Sequence, residues 1–197
     1  MTDAPDTRPS LLVALRAHGP EAWDEFLSVY EAALLRFCGP FGLQEADARD
    51  ATQEVLAALH QRLASWDPDL EAGSFRGWLF RVARNVSVDV VARRARTPQT
   101  AEAQLEALED EEQASTVFDL ELRRSLFGWA AERVRSEVRS ATWSAFERTA
   151  IEGRAPEEVA TELGLSVGAV YTAKCRVVAR LKARIAELEE VVPDPSA

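Results

Sequence analysis

Apolar residues recur three and four positions apart along almost the whole chain, and no alternating apolar–polar stretch persists. The first period is that of a helix with one buried face; a half-buried strand needs a period of two. The chain is therefore expected to be all-α, with Gly and Pro setting the breaks. A first helix reads over 20–38, with Trp23, Phe26, Leu27, Tyr30, Leu34 and Phe37 as core positions, and Gly39-Pro40-Phe41-Gly42 ends it. A second runs from about Gln44 to Ala64 and is broken by Trp66-Asp67-Pro68-Asp69, with loop to Gly73. Ser74 caps a third over roughly 75–95, and Thr97-Pro98 closes that unit. Helix resumes near Thr116 and runs to about Arg139. Shorter helices follow over 141–151 and from Pro156 to Gly164, and a last one extends from Val167 to about Glu190.

Between these two groups, residues 98–115 are acidic and poor in large apolar groups, so they read as a linker that buries little. The net charge of −10 argues weakly against nucleic-acid binding, yet it is unevenly spread. Residues 76–96 carry +5, residues 101–121 carry −8, and residues 171–184 carry +5 again. Local fields decide where a polyanion docks, so two basic stretches flanking an acidic one keep nucleic acid open. No run reaches the ~20 apolar residues of a membrane span, and the N-terminus lacks a signal-peptide core. The expectation is a cytoplasmic protein that does not insert into membranes. Cys38 and Cys175 then read as reduced thiols, and His18 and His60 form no ligand spacing with them, so neither a metal nor a cofactor is expected.

The strongest local signal is RAPEEVATELGLSVGAVYTAKCRVVARLKARI. A short helix ends at Gly164, the turn Leu165-Ser166-Val167 follows, and a long basic helix begins, which is the spacing of a DNA-binding helix-turn-helix. Ala160 sits where the two helices approach, Leu165 and Val170 close the small core, and Ser166 caps the second helix. At 100° per residue, Val170, Val177, Leu181 and Ile185 share one face, with Lys174 snorkelling near it. Thr172, Cys175, Arg176 and Ala179 lie opposite, with Tyr171, Arg180 and Lys182 on the flanks. Small, hydrogen-bonding and arginine side chains there suit base edges and phosphates. The bland alternative is an amphipathic helix with a solvated basic face.

In the second helix Thr52, Val55, Leu56, Leu59 and Leu63 point one way. Asp47, Asp50, Glu54, Ala57 and Gln61 form the opposite stripe, with Gln53 beside it. That stripe is either a solvated acidic face or a docking face for a basic partner. The third helix, SFRGWLFRVARNVSVDVVARRAR, buries Leu79, Val82, Ala83, Val86 and Val90 and turns Arg81, Arg84 and Asn85 outward. Phe75 and Trp78 stand at its start beside the loop. They are either core residues or, with the arginines, a platform for single-stranded DNA. Asp89 precedes Arg93 by one turn and is expected to staple the helix.

These units, in this order, resemble the extracytoplasmic-function branch of bacterial sigma factors. The matching stretches are DARDATQEVLAALHQRL, SFRGWLFRVARNVSVDVVARR and EGRAPEEVATELGLSVGAVYTAKCRVVARLKARI. The resemblance implies a specificity subunit of RNA polymerase, not an enzyme, built as an N-terminal extension (1–19), a region 2-like domain (20–97), an acidic linker (98–117), a region 4-like domain (118–190) and a tail (191–197). It implies that Asp47, Asp50, Gln53 and Glu54 dock on the β′ clamp helices of the core polymerase. Asp69, Leu70, Glu71, Phe75, Arg76, Trp78, Arg81, Arg84 and Asn85 would open and read the −10 element as a single strand. Ser166, Tyr171, Thr172, Cys175, Arg176 and Arg180 would read the −35 element as duplex, with the same domain on the β flap. Tyr171 and Ala173 depart from the polar residues many relatives carry, so the preferred −35 sequence does not follow. No extra regulatory domain is recognised, so control is expected from a separate protein such as an anti-sigma factor. A stand-alone helix-turn-helix repressor would need a dimerisation heptad, and none is evident; an enzyme would need a nucleophile, metal cluster or phosphate loop, and none is recognisable.

Overall fold

The computed structural model describes residues 6–7, 9–39, 43–64, 66, 74–94, 105–106 and 108–190. Eight α-helices are found among them: α1 (Pro9–Arg16), α2 (Pro20–Cys38), α3 (Glu45–Arg62), α4 (Phe75–Arg94), α5 (Glu111–Glu137), α6 (Ser140–Phe146), α7 (Pro156–Leu163) and α8 (Val167–Leu188). The one extended pairing among the described residues is two residues long, with Asp6 opposite Glu190 and Thr7 opposite Glu189. The chain divides into two compact units, Met1–Ser125 with Glu189–Ala197, and Leu126–Leu188.

The N-terminal unit is organised around aromatic side chains that the helical period lines up. Phe26 stacks on Tyr30 with ring centroids 4.3 Å apart, and Phe75 stands edge-on to Phe26 at 6.2 Å. Trp66 closes on Phe75 at 5.6 Å and on Trp78 at 6.0 Å. The segment expected only to break α3 thus places a buried tryptophan in the core. Helix α4 starts where Ser74 accepts the Gly77 amide at 3.2 Å, as an N-cap does.

Two parts of this unit differ from expectation. The N-terminal extension contains α1, whose Leu11, Leu12 and Leu15 are buried. Arg16 lies over the Trp66 ring, 5.3 Å from its centroid, and donates to the Trp66 carbonyl at 2.6 Å. The second difference is the acidic segment. Residues 98–104 and 107 lie outside the described residues, but α5 begins at Glu111, earlier than expected. Leu108, Ala114 and Phe118 have no exposed surface, and Phe118 meets Phe37 at 5.5 Å and Phe80 at 5.7 Å. Sparse apolar residues suffice when each falls on the same helix face. The unit boundary accordingly falls inside α5, between Ser125 and Leu126, rather than at residue 118.

The C-terminal unit holds a small core of Ala145, Val159, Ala160, Val170 and Ala173, with Leu163, Leu165 and Val167 against it. The turn between α7 and α8 is closed by a Schellman motif. Gly164 is left-handed (φ 62°, ψ 34°), the Leu165 amide donates to the Ala160 carbonyl at 2.9 Å, and the Gly164 amide reaches Thr161 at 3.4 Å. Ser166 then accepts the Ala169 amide at 3.1 Å and caps α8. The expected helix over 141–151 is α-helical only to Phe146 and continues as a π turn over Glu147–Ile151. Two large apolar residues of this unit, Phe127 and Ile151, are 40% and 55% exposed.

Two measurements check this packing. Gly164→Ala should cost roughly 1–2 kcal/mol, the penalty for a side chain in the left-handed region, read as a lower denaturant midpoint of the C-terminal unit. Cys38 is buried and shares a 3.5 Å hydrogen bond with Ser87; burial pushes its thiol pKa up, against the smaller pull of that bond. Its contribution to stability is therefore whole below about pH 8.5, where the unfolded thiol is neutral, and is lost as pH rises toward the folded value. A thiol reagent should modify exposed Cys175 at once and Cys38 only on unfolding, checked by mass spectrometry across an alkaline pH series.

Candidate nucleic-acid and partner interfaces

Helix α3 buries Ala48, Ala51, Thr52, Val55 and Leu59, which turns Asp50, Gln53 and Glu54 outward, with Asp47 half-buried at the edge. The expected stripe therefore exists as a continuous polar face. Glu54 is also held within the fold: Arg93 of α4 donates to both of its carboxylate oxygens, at 2.8 and 2.9 Å. That pair displaces the expected Asp89–Arg93 staple, in which Arg93 reaches only the Asp89 backbone carbonyl at 3.2 Å. Both members are about half exposed, so the pair is worth at most about 1 kcal/mol and can be exchanged for an intermolecular one.

Helix α4 buries Leu79, Val82, Ala83, Val90 and Val91 and exposes Arg81 and Asn85. Phe75 is fully buried and Trp78 only 6% exposed. Neither ring lies at the surface, contrary to their reading as base-contacting residues. Both complete the aromatic core behind the helix. Arg76 is also less open than expected, because it pairs with Asp119 of α5 and both side chains are largely covered. Arg84 donates to the carbonyls of Leu108 at 2.5 Å and Glu109 at 3.3 Å. Asp69, Leu70 and Glu71 lie outside the described residues.

On α8 the angular assignment holds for the exposed arc and for Val170, Val177 and Leu181, but Ala173, placed by the resemblance among the recognition positions, is buried in the helix-turn-helix core, and Ile185 is only half-buried. Val170, Ala173, Val177 and Leu181 are buried, while Tyr171, Thr172, Cys175, Arg176 and Arg180 are exposed. Thr172 directs its hydroxyl proton to the Gly168 carbonyl at 2.9 Å, which leaves its oxygen as an acceptor. Arg176 and Arg180 line a polar cavity of about 350 Å³ with Glu137, Arg139 and Thr142. Glu137 accepts from Arg184 at 2.6 Å and lies 3.7 Å from Arg180, so one carboxylate partly neutralises the rear of the basic face. The Arg184 guanidinium is held more firmly protonated by its bonds to Glu187 and Glu137.

Three further features do not follow from the sequence pattern. Glu162 of α7 binds Arg148 at 2.6 Å and also Arg154, and the Arg154 bond chiefly holds its carboxyl below the usual range. Those contacts tie the π turn to α7. An apolar groove of about 550 Å³ is lined by Phe127, Phe146, Ile151, Val178, Leu181 and Ile185. Phe127 and Ile151 carried the signal in the sequence, since each is a large apolar residue within an otherwise satisfied helical pattern. His18 and His60, far apart in sequence, come to 4.6 Å between ring centroids. No group of three or more His, Cys, Asp or Glu side chains able to hold a metal converges among the described residues, and no helix there is long and apolar enough to cross a membrane.

The family profile described as Sigma-70 region 2 matches residues 27–97, the stretch that contains α3, α4 and most of α2. The ECF RNA polymerase sigma factor SigE of Mycolicibacterium smegmatis is 27% identical over 173 residues, which cover 84% of this chain and 64% of SigE. This chain thus spans just under two thirds of that relative's length. The RNA polymerase sigma factor CnrH of Cupriavidus metallidurans is 29% identical over 192 residues, 91% of this chain and 95% of CnrH. A solved structure of CnrH in complex with the cytosolic domain of CnrY covers 90% of this chain and 96% of that chain at 26% identity, with a TM-score of 0.38. The region 2 match thus lies on the helices that carry the polar and basic faces, and along most of its length the chain is similar to RNA polymerase sigma factors of the ECF type.

Proposed function

We propose that this protein is a sigma factor that directs core polymerase to promoters by dividing recognition between its two units. The observation that carries the reading is the exposed arc of α8. It is held on a glycine-closed turn and a serine cap, and presents Thr172, Cys175 and Arg176 opposite a fully apolar packing face. A helix so mounted offers side chains to the major groove, where the base pairs are distinguishable. Arg176 and Thr172 read base edges of the −35 element, while Arg180, Ser166 and Tyr171 hold its phosphates and sugars.

The N-terminal unit docks on the β′ clamp helices through Asp47, Asp50, Gln53 and Glu54, and takes the −10 element as a single strand along Arg81, Arg84 and Asn85. The loop that includes Asp69, Leu70 and Glu71 selects the unstacked bases. The apolar groove of the C-terminal unit suits an apolar element of the β flap. An anti-sigma factor would act by covering these same faces, and the protein would work in the cytoplasm, where polymerase and promoter meet. Acidity elsewhere on the chain makes unaided DNA binding weak, so selectivity is expressed in the assembled holoenzyme.

Transcription by reconstituted holoenzyme on a panel of −35 variants tests this. Arg176→Ala should cost about 1–3 kcal/mol on the preferred promoter and relax selectivity at one or two positions. Arg180→Ala should weaken every promoter alike and lower the salt slope by about one phosphate contact. Equal loss on every variant with Arg176→Ala would remove it from the reading face. Separately, Asp50→Lys with Gln53→Lys should leave thermal unfolding nearly unchanged, because exposed changes cost less than about 0.5 kcal/mol, while core binding falls sharply. Normal assembly of that pair on core polymerase would refute the docking face.

A further inference from the structure

Arg76, Phe80 and Arg84 are spaced four residues apart and form one stripe along α4. Every member of that stripe is engaged by the acidic segment that follows. Arg76 pairs with Asp119, Phe80 meets the Phe118 ring, and Arg84 is bound by the carbonyls of Leu108 and Glu109. Arg36 of α2 extends the contact, donating to Glu121 at 2.7 Å and to Ser125 at 2.5 Å, with Glu121 only 6% exposed. Leu108, Ala114 and Phe118 are buried beneath the same segment. A charge of −6 over residues 108–121 is thus laid, by apolar anchors, against helix α4, which carries +4.

We propose that residues 108–121 are an intramolecular clasp that occupies half of the single-strand face of α4, so that the free protein is closed to unpaired DNA and opens when the segment is drawn away. This rests on the reading of α4 as the −10 face. Carboxylates and backbone carbonyls offer an arginine the same acceptor chemistry as phosphate oxygens, so clasp and strand compete for the same donors. The neighbouring stripe, Arg81 and Asn85, remains exposed, which leaves a strand a place to begin. Core polymerase favours the open form if it binds the acidic segment on a basic surface of its own. Opening is then coupled to assembly, and the apparent affinity of the free protein for DNA is lowered by the fraction that is closed.

The test uses the full chain without polymerase and a labelled single-stranded DNA of mixed sequence. Asp119→Asn should tighten binding by about tenfold, as expected when a mostly closed population is released, and adding Arg76→Ala should abolish the gain. In the wild-type protein, saturating DNA should speed amide exchange over 108–118 and leave 126–137 unchanged. This second arm decides the matter if circular dichroism shows that Asp119→Asn has lost helix. A folded Asp119→Asn protein that binds like wild type, or residues 108–118 that stay protected under saturating DNA, overturns the clasp. If Arg81→Ala still lowers promoter opening by the holoenzyme, the −10 reading survives that result. If Arg81→Ala and Arg84→Ala both leave opening unchanged, the −10 reading falls and the clasp falls with it.

Discussion

The burial of Phe75 is the contact on which the N-terminal unit depends. It sits at the first residue of α4 and meets Phe26 and Tyr30 of α2, Trp66 after α3, and Trp78 one turn on. One ring thus joins α2, α4 and the residue that follows α3, at the very start of α4. Fixing that residue fixes the rotation of α4 about its axis. The apolar face then turns inward, and Arg81 and Asn85 have no direction left but solvent. The side chains available to a nucleic acid are a consequence of which face the aromatic cluster takes.

The same logic governs charge. The chain is acidic overall, yet the arginines placed to meet a polyanion are mostly matched by acceptors of the protein itself: Arg76 by Asp119, Arg84 by two carbonyls, Arg93 by Glu54, and Arg184 by Glu137 and Glu187. The exposed pairs among these, Arg93–Glu54 and Arg184 with Glu137 and Glu187, contribute little to stability. Their larger consequence is competition, since each must be exchanged before the arginine serves a phosphate. On the proposed reading, these pairs would hold down non-specific DNA binding by the free protein, and a large partner that supplied compensating contacts would drive the exchange.

Much of this was legible in the sequence, for a physical reason. Helices α2, α3, α4 and α8 are long enough that their apolar period averages over several turns, so their buried and exposed faces could be read by angle alone. Ser74, Gly164 and Ser166 were legible because caps are local chemistry. What escaped depends on contacts distant in sequence. Leu11, Leu12 and Leu15 make α1 too short to signal itself until something covers it. Leu108, Ala114 and Phe118 are thinly spread among acids, and only the groove they enter makes them core. Phe75 and Trp78 suit core or surface by sequence alone, since an aromatic at a helix start fits either, and the packing of Trp66 decides it. The Arg93–Glu54 pair joins residues 39 apart in sequence, so only the packing of α4 beside α3 brings it into being.

The C-terminal unit shows why a reading face can be specified by so few residues. Its core consists of small side chains, Ala145, Val159, Ala160, Val170 and Ala173, so α7 and α8 approach closely and leave little freedom in their crossing. The left-handed Gly164 and the Ser166 cap set where α8 begins, and with it the phase of every residue beyond. A shift of one position would rotate the arc by 100° and exchange Arg176 for Val177 at the surface. On the proposed reading, recognition by Thr172, Cys175 and Arg176 would therefore depend on Gly164, which sets the phase of the helix from outside the reading arc. Substitution of Gly164 should alter specificity only by way of helix phase or stability, whereas substitutions on the arc should alter it directly. The two kinds of residue are distinguishable in principle because one moves all of the exposed positions together and the other moves only its own.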